Sequence, residues 1–343
     1  MRLLLSSLLD FLLPPLLVAA IGVATPAAAE TTGDPRTTAR RLSSAVIEPA
    51  YGDLAAAARR SAEIWESECR GPAPSRERLA VGFVAVATAW WRIEGLRYGP
   101  AGEDFRAERI DLWPERRNAT TRGLAELVDP AGPEPTAEEI RGRSAAVQGL
   151  PALERLIFEG KGPLAPRVCA VGRAIAGNLA AITAEIDSGW RDLAARAGAD
   201  EATARELTAR VVTDLVGEYE ALIDGKLGPL GKTIAAARPD GFEGRRAGAE
   251  RAALAAPLAG LAALTAVLVD GREEGATAMA TVATARAIAA GLPEAIGPLA
   301  ADAGRRSQVV LLRDALRSAR DAAIADLPPL VGVSVGFNSR DGD

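Results

Sequence analysis

Apolar residues recur at three- and four-residue intervals through most of this chain, in runs separated by glycine and proline clusters. That period marks amphipathic helices rather than strands. Leu42, Val46, Leu54 and Ile64 predict helix over 36–70, interrupted near Pro49 and Gly52 and ended by the Gly71–Ser75 cluster. A second helix is expected over 76–97, carrying Trp90 and Trp91. Residues 98–135 are less regular, broken at Gly99-Pro100, Trp113-Pro114 and Asp129-Pro130, with a short helix near 119–128. Thr136 and Glu139 have the spacing of a capping box. The helix they start is expected to run to Glu159-Gly160 and to kink or break at Pro151, which lacks an N–H and would crowd the Val147 carbonyl.

Further helices are expected over 165–197, from Asp200 to 224, and over 245–270, 273–290 and 294–325. Residues 225–244 are rich in breakers, and 331–343 alternate at period two, as an extended tail would. The expected fold is all-α, with two antiparallel helical bundles of comparable size, 30–225 and 245–330, whose helices are joined by short turns.

Composition agrees: of 343 residues, 48% are hydrophobic and only 4% aromatic, with Ala and Leu dominant. The net charge of -5 comes with no basic stripe interleaved with aromatics, so nucleic acid is not an expected partner. The chain contains no histidine. This excludes His-ligated metals, Ser-His-Asp triads and Cys-His dyads, and removes the side chain that titrates nearest neutral pH. Acid–base chemistry would have to use Asp, Glu, Tyr, Lys or Cys.

Residues 1–29 read as a secretory signal peptide: Arg2, an apolar stretch from Leu3 to Val23, then Ala27-Ala28-Ala29 before Glu30. Asp10 and Pro14-Pro15 interrupt the stretch and argue against a permanent span. No later segment reads as apolar enough to cross a bilayer. The expected location is therefore periplasmic. Cys69 and Cys169 are the two cysteines, and in an oxidising compartment they are expected to form a disulfide, with separate buried thiols as the alternative.

The central motif is Gly149-Leu-Pro-Ala-Leu-Glu154. A Gly-x-His-x-x-Glu sequence would set an imidazole and a carboxylate on one helix face, half of a metal site. Here proline stands at the imidazole position. Around it, Gln148–Phe158, the run Trp91–Pro100 ending in Tyr-Gly-Pro, Ile110-Asp-Leu-Trp-Pro114, Arg245–Leu254 and the C-terminal Gly336–Asp343 resemble segments of the imelysin-like family. That family was first described as bacterial metallopeptidases and later linked to periplasmic iron uptake. The resemblance implies two helical-bundle halves with a pocket between them near the motif, export, and a role in iron acquisition. It does not carry over a metal site, because Glu154 alone remains of the motif's ligands and a peptidase needs three ligands and a base.

The ligand-binding candidates follow. Glu154 either points into the cleft or pairs with an arginine. Glu94 and Arg97 share a helix face at i, i+3 and can pair, with Arg97 offering its guanidinium to an anion or to solvent. Asp111 is a candidate to join Glu154 in an oxygen-only cation site. Arg246 either lines the cleft or starts a solvated helix, and Gln148 is placed to replace a lost polar contact. The tryptophans read as core. No catalytic residue and no cofactor is fixed by the residues; iron or another cation enters through the resemblance alone. Three functions stay open: a non-catalytic binding or accessory protein of iron uptake, a metallopeptidase with Asp/Glu-only ligands, and a helical bundle that binds an envelope protein.

Overall fold

Pro35 opens the first helix, α1 (Pro35–Leu42), with Asp34 capping it by accepting from the Arg36 N–H. A wide π turn, Ser43–Ile47, carries the chain into α2 (Glu48–Arg70). Pro49 has no N–H to return to the Ala45 carbonyl, and the backbone relaxes there: the Glu48 N–H reaches five residues back to Ser43. The expected interruption therefore falls one turn before Pro49, and Gly52 lies inside α2. The computed structural model describes residues 34–333, apart from 73, 116 and 161. The proposed signal peptide lies outside the described residues. So does the expected extended tail, apart from its first three residues; Val331 belongs to the last helix.

Among the described residues the order continues as α3 (Arg76–Trp91), α4 (Arg106–Ile110), α5 (Ala119–Leu127), α6 (Ala137–Arg141), α7 (Leu150–Phe158), α8 (Pro166–Ala199) and α9 (Glu201–Glu220), then α10 (Glu250–Val269), α11 (Ala276–Gly291), α12 (Gly297–Ala301) and α13 (Arg306–Val331). No strand occurs among these residues, and the fold is all-α. The longest packing seam joins α2 to α8. Gly172 permits it, because a Cβ there would run into the Trp65 ring. Cys69 and Cys169 tie the same two helices by a disulfide with Cα atoms 5.5 Å apart. Tyr51 stacks on Trp190 in this core and donates to the Leu96 carbonyl at 3.1 Å. In the later part of the chain α10, α11 and α13 pack together, while α10 also lies on α3 and α13 on α9.

Two predicted helices are corrected. The capping box of Thr136 and Glu139 forms, but α6 ends at Arg141. After a 3-10 turn at Ala145–Val147, α7 begins anew at Leu150. Of the expected kink or break it is the break that occurs, just before Pro151, which sits in the first turn of α7 where its missing N–H costs nothing. The expected 294–325 helix divides into α12 and α13, with Asp302 accepting from the Gly304 and Arg305 N–H groups between them. The membrane expectation also needs correcting. Both α8 and α10 are long and apolar enough to cross a bilayer by length and composition. Yet 67% and 61% of their apolar windows are buried inside the fold, which accounts for the hydrophobicity as core.

Candidate functional site

The central motif works first as a packing device. Gly149 has no room for a Cβ, which would collide with the carbonyls of Arg109 and Ile110. Its bareness lets the end of α4 lie against the start of α7. Asp111, the residue that ends α4 in extended backbone, is thereby directed away from that contact and into a cavity.

Four ionisable side chains from four separate segments meet there. Glu94 comes from the turn after α3, Asp111 from the end of α4, Lys226 from a π turn at Ala221–Lys226 that follows α9, and Glu243 from the loop before α10. All four are buried, at 4% to 8% exposure. The Lys226 ammonium lies 2.5 Å from Glu94 Oε1 and 2.6 Å from Glu243 Oε2. It also sits 5.4 Å from the centre of the Trp91 ring, whose negative face favours a cation. Trp91 orients Glu243 by donating its indole N–H at 2.9 Å. One oxygen each from Glu94, Asp111 and Glu243 lie within 4.8 Å of one another.

The electrostatics follow from burial. Three carboxylates face one ammonium, and Glu218, also buried, adds its field. Burial drives the Asp111 carboxyl well above the usual carboxylate range, and the negative fields of Glu243 and Glu94 push it further. Glu94 is raised by burial too, although Lys226 opposes the shift. Burial by itself would lower the Lys226 ammonium; the attraction of Glu243 and Glu94 overcomes it, so Lys226 is held charged. Asp111 and Glu243 therefore face each other as carboxyls with oxygens within 4.8 Å.

This cluster forms one wall of a cavity of about 420 Å³, which is also lined by Trp113, Asp224, Arg97 and Arg320. A second chamber, about 240 Å³, lies on the other side of Asp111, Trp113, Pro114 and Glu243 and is floored by Pro151, Glu154 and Arg246. Here Glu154 Oε2 is 3.4 Å from the Arg246 guanidinium, which also donates to Glu159 at 2.7 Å. Burial raises Glu154, with Arg246 opposing.

The sequence-derived candidates thus separate. Glu154 and Arg246 face one chamber as a pair, which unites the cleft reading with the arginine reading. Asp111 borders both chambers, but its carboxylate companions are Glu94 and Glu243 rather than Glu154. The Glu94–Arg97 pair that the spacing allows does not form. Because α3 stops at Trp91, the two residues leave the helical i, i+3 geometry. Glu94 turns inward to Lys226, while Arg97 lines the cavity, pairs with Glu108 at 3.4 Å and lies 5.9 Å from the Trp90 ring. Gln148 lines neither chamber. Its amide joins loops instead, accepting from Arg109 at 2.8 Å and donating to the Arg141 and Arg143 carbonyls. Trp90 and Trp91 are core, whereas Trp113 is half-buried in the shared wall. Lys226 and Glu243 were missed. One signal was available: the chain has three lysines against an abundance of arginine, and Lys226 is one of them.

The relatives agree with this architecture. A model of the imelysin family, a peptidase-type family, matches residues 47–323. An imelysin-like protein from Psychrobacter arcticum 273-4 superposes with a TM-score of 0.75 at 23% identity, covering 90% of this chain and 98% of its own. A protein from Parabacteroides distasonis ATCC 8503, named as an iron-regulated protein A precursor, superposes with a TM-score of 0.67 at 11% identity, covering 89% and 97%. No curated protein matches the chain. With the family match spanning most of its length and the same helical fold in both solved structures, this chain belongs to the imelysin family.

Proposed function

We propose that this protein is exported to the periplasm and acts as a non-catalytic binding protein of iron uptake, taking a small cation-bearing ligand into its acidic cavity. The observation that carries this reading is the lining of the larger chamber, which has six acidic and three basic side chains. Its volume of about 420 Å³ suits a small molecule. The link to iron rests on the family and on the name of the Parabacteroides relative. The non-catalytic part rests on Glu154, which is engaged by Arg246, and on the absence of any imidazole.

Calorimetric titration of residues 30–343 with ferrous, ferric, zinc and cupric ions, haem and a simple diamine tests the reading. Binding of a cationic member of this set, weakened at least about tenfold by Asp224→Asn on the cavity wall, is the expected result. Binding of haem alone, or of nothing, overturns it. Export is checked by cell fractionation and by N-terminal sequencing of the recovered protein, expected to begin at Glu30.

One observation favours a second reading. The trio of Glu94, Asp111 and Glu243 has the spacing of an oxygen-only metal site, as an Asp/Glu-liganded metallopeptidase would need. Metal-stimulated cleavage of a peptide library, abolished by Asp111→Asn, would establish that activity in place of binding. Co-purification of an envelope protein without a small ligand would point instead to an interaction role.

A further inference from the structure

Two members of the carboxylate trio, Glu94 and Glu243, already hold a cation of the protein's own. Glu94 and Glu243 both reach the Lys226 ammonium within 2.6 Å, and an Asp111 oxygen lies within 4.8 Å of theirs. Three carboxylates brought together without a positive centre would be strongly unfavourable at this burial. Lys226 is 4% exposed and enters from a segment remote from the other three residues. The π turn sets its direction, because one extra residue in that turn rotates the following side chain out of the α-helical register.

We propose that Lys226 is a tethered cation: its ammonium fills the position at which Glu94, Asp111 and Glu243 would otherwise hold a divalent ion, and it closes the trio to free metal. Oxygen-only donors select hard cations such as Mg(II), Ca(II) or Mn(II). The cavity beside the trio gives such an ion room to keep its remaining waters once the lysine is gone. Lys226 is then the residue that decides between a metal-bearing and a metal-free site in this chain. The trio belongs to the wall of the same cavity, and the two readings are told apart by their probes: Mn(II) at Glu94 for the trio, the ligand set at Asp224 for the cavity.

Lys226→Ala tests it with Mn(II) as the probe, read by electron paramagnetic resonance and by the midpoint of thermal unfolding. The expected result for the parent protein is no bound-ion spectrum and no midpoint shift that depends on Glu94. The variant is expected to give a bound spectrum, a raised midpoint and an affinity at least about tenfold higher. Adding Glu94→Gln to the variant should remove the gain. Mn(II) binding by the parent protein that Glu94→Gln abolishes overturns the proposal, as does a folded Lys226→Ala that binds no Mn(II). If Lys226→Ala fails to fold alone, Lys226→Met is refolded with and without Mn(II). Recovery of the fold only with the ion supports the proposal, and failure to recover, or equal recovery without the ion, overturns it.

Discussion

The two chambers solve one problem in different media. Each presents carboxylates to a cavity, and each supplies a cation from its own chain. In the larger chamber Lys226 is almost wholly buried between Glu94 and Glu243. In the smaller one the Arg246 side chain keeps 39% of its surface in solvent while pairing with Glu154. Charge attraction is weakly screened in the first and strongly screened in the second. The deep cluster is therefore expected to govern stability and pH response, and the shallow pair to be replaceable.

The sharpest way to break this comparison is to remove the buried cation. Lys226→Ala should cost about 3–5 kcal/mol at neutral pH, because it strands several carboxylates in a dry site. The loss should be smaller at acid pH, where the raised Asp111 and Glu94 carboxyls are neutral. Urea unfolding at the two pH values checks both parts, and an equal loss at each would show that the lysine acts by packing alone.

The second effect is on pH dependence in the intact protein. Asp214 is raised to about 6 by burial, although the Tyr98 and Arg97 N–H groups donate to it at 2.8 Å each. A carboxyl raised in the folded state holds its proton more tightly there than when unfolded. Its contribution is complete below the ordinary value of 3.8 and is lost as pH rises through about 6. Asp111 and Glu94 shift in the same direction. Thermal midpoints should thus fall between pH 4 and the neutral range. Asp214→Asn keeps a carbonyl acceptor and should flatten that fall by roughly 3 kcal/mol at most.

Arg246→Ala should cost about 1 kcal/mol or less and lose even that in high salt, since the guanidinium is half-solvated. A larger loss would place the shallow pair in the same class as the deep one. Smallest of all, Pro151→Ala should change stability by less than about 1 kcal/mol, because the proline occupies the first turn of α7. A binding defect in this variant would show that the proline shapes the smaller chamber.

Much of this molecule was legible beforehand for local reasons. The helical period places most helices, the Thr136–Glu139 box and Asp200 form the caps they spell, and the two cysteines pair across 100 residues. Glu154, Arg246, Glu94, Arg97 and Asp111 do border the chambers. Their partners were not legible. Gln148 sits beside the motif in sequence yet spends its amide on loop carbonyls. Lys226 rides on a π turn, and Glu243 lies in a breaker-rich loop with no period to read.

What the sequence determined alone is what depends on neighbours a few residues apart: helix content, caps, the disulfide candidates and the loss of all imidazole chemistry. What only the tertiary structure decided is which charges meet. A π turn, a loop and two helix ends converge on one buried point, and burial turns ordinary surface residue types into a coupled cluster. Coulomb energy depends on distance through space and on exclusion of water, neither of which is a property of position along the chain.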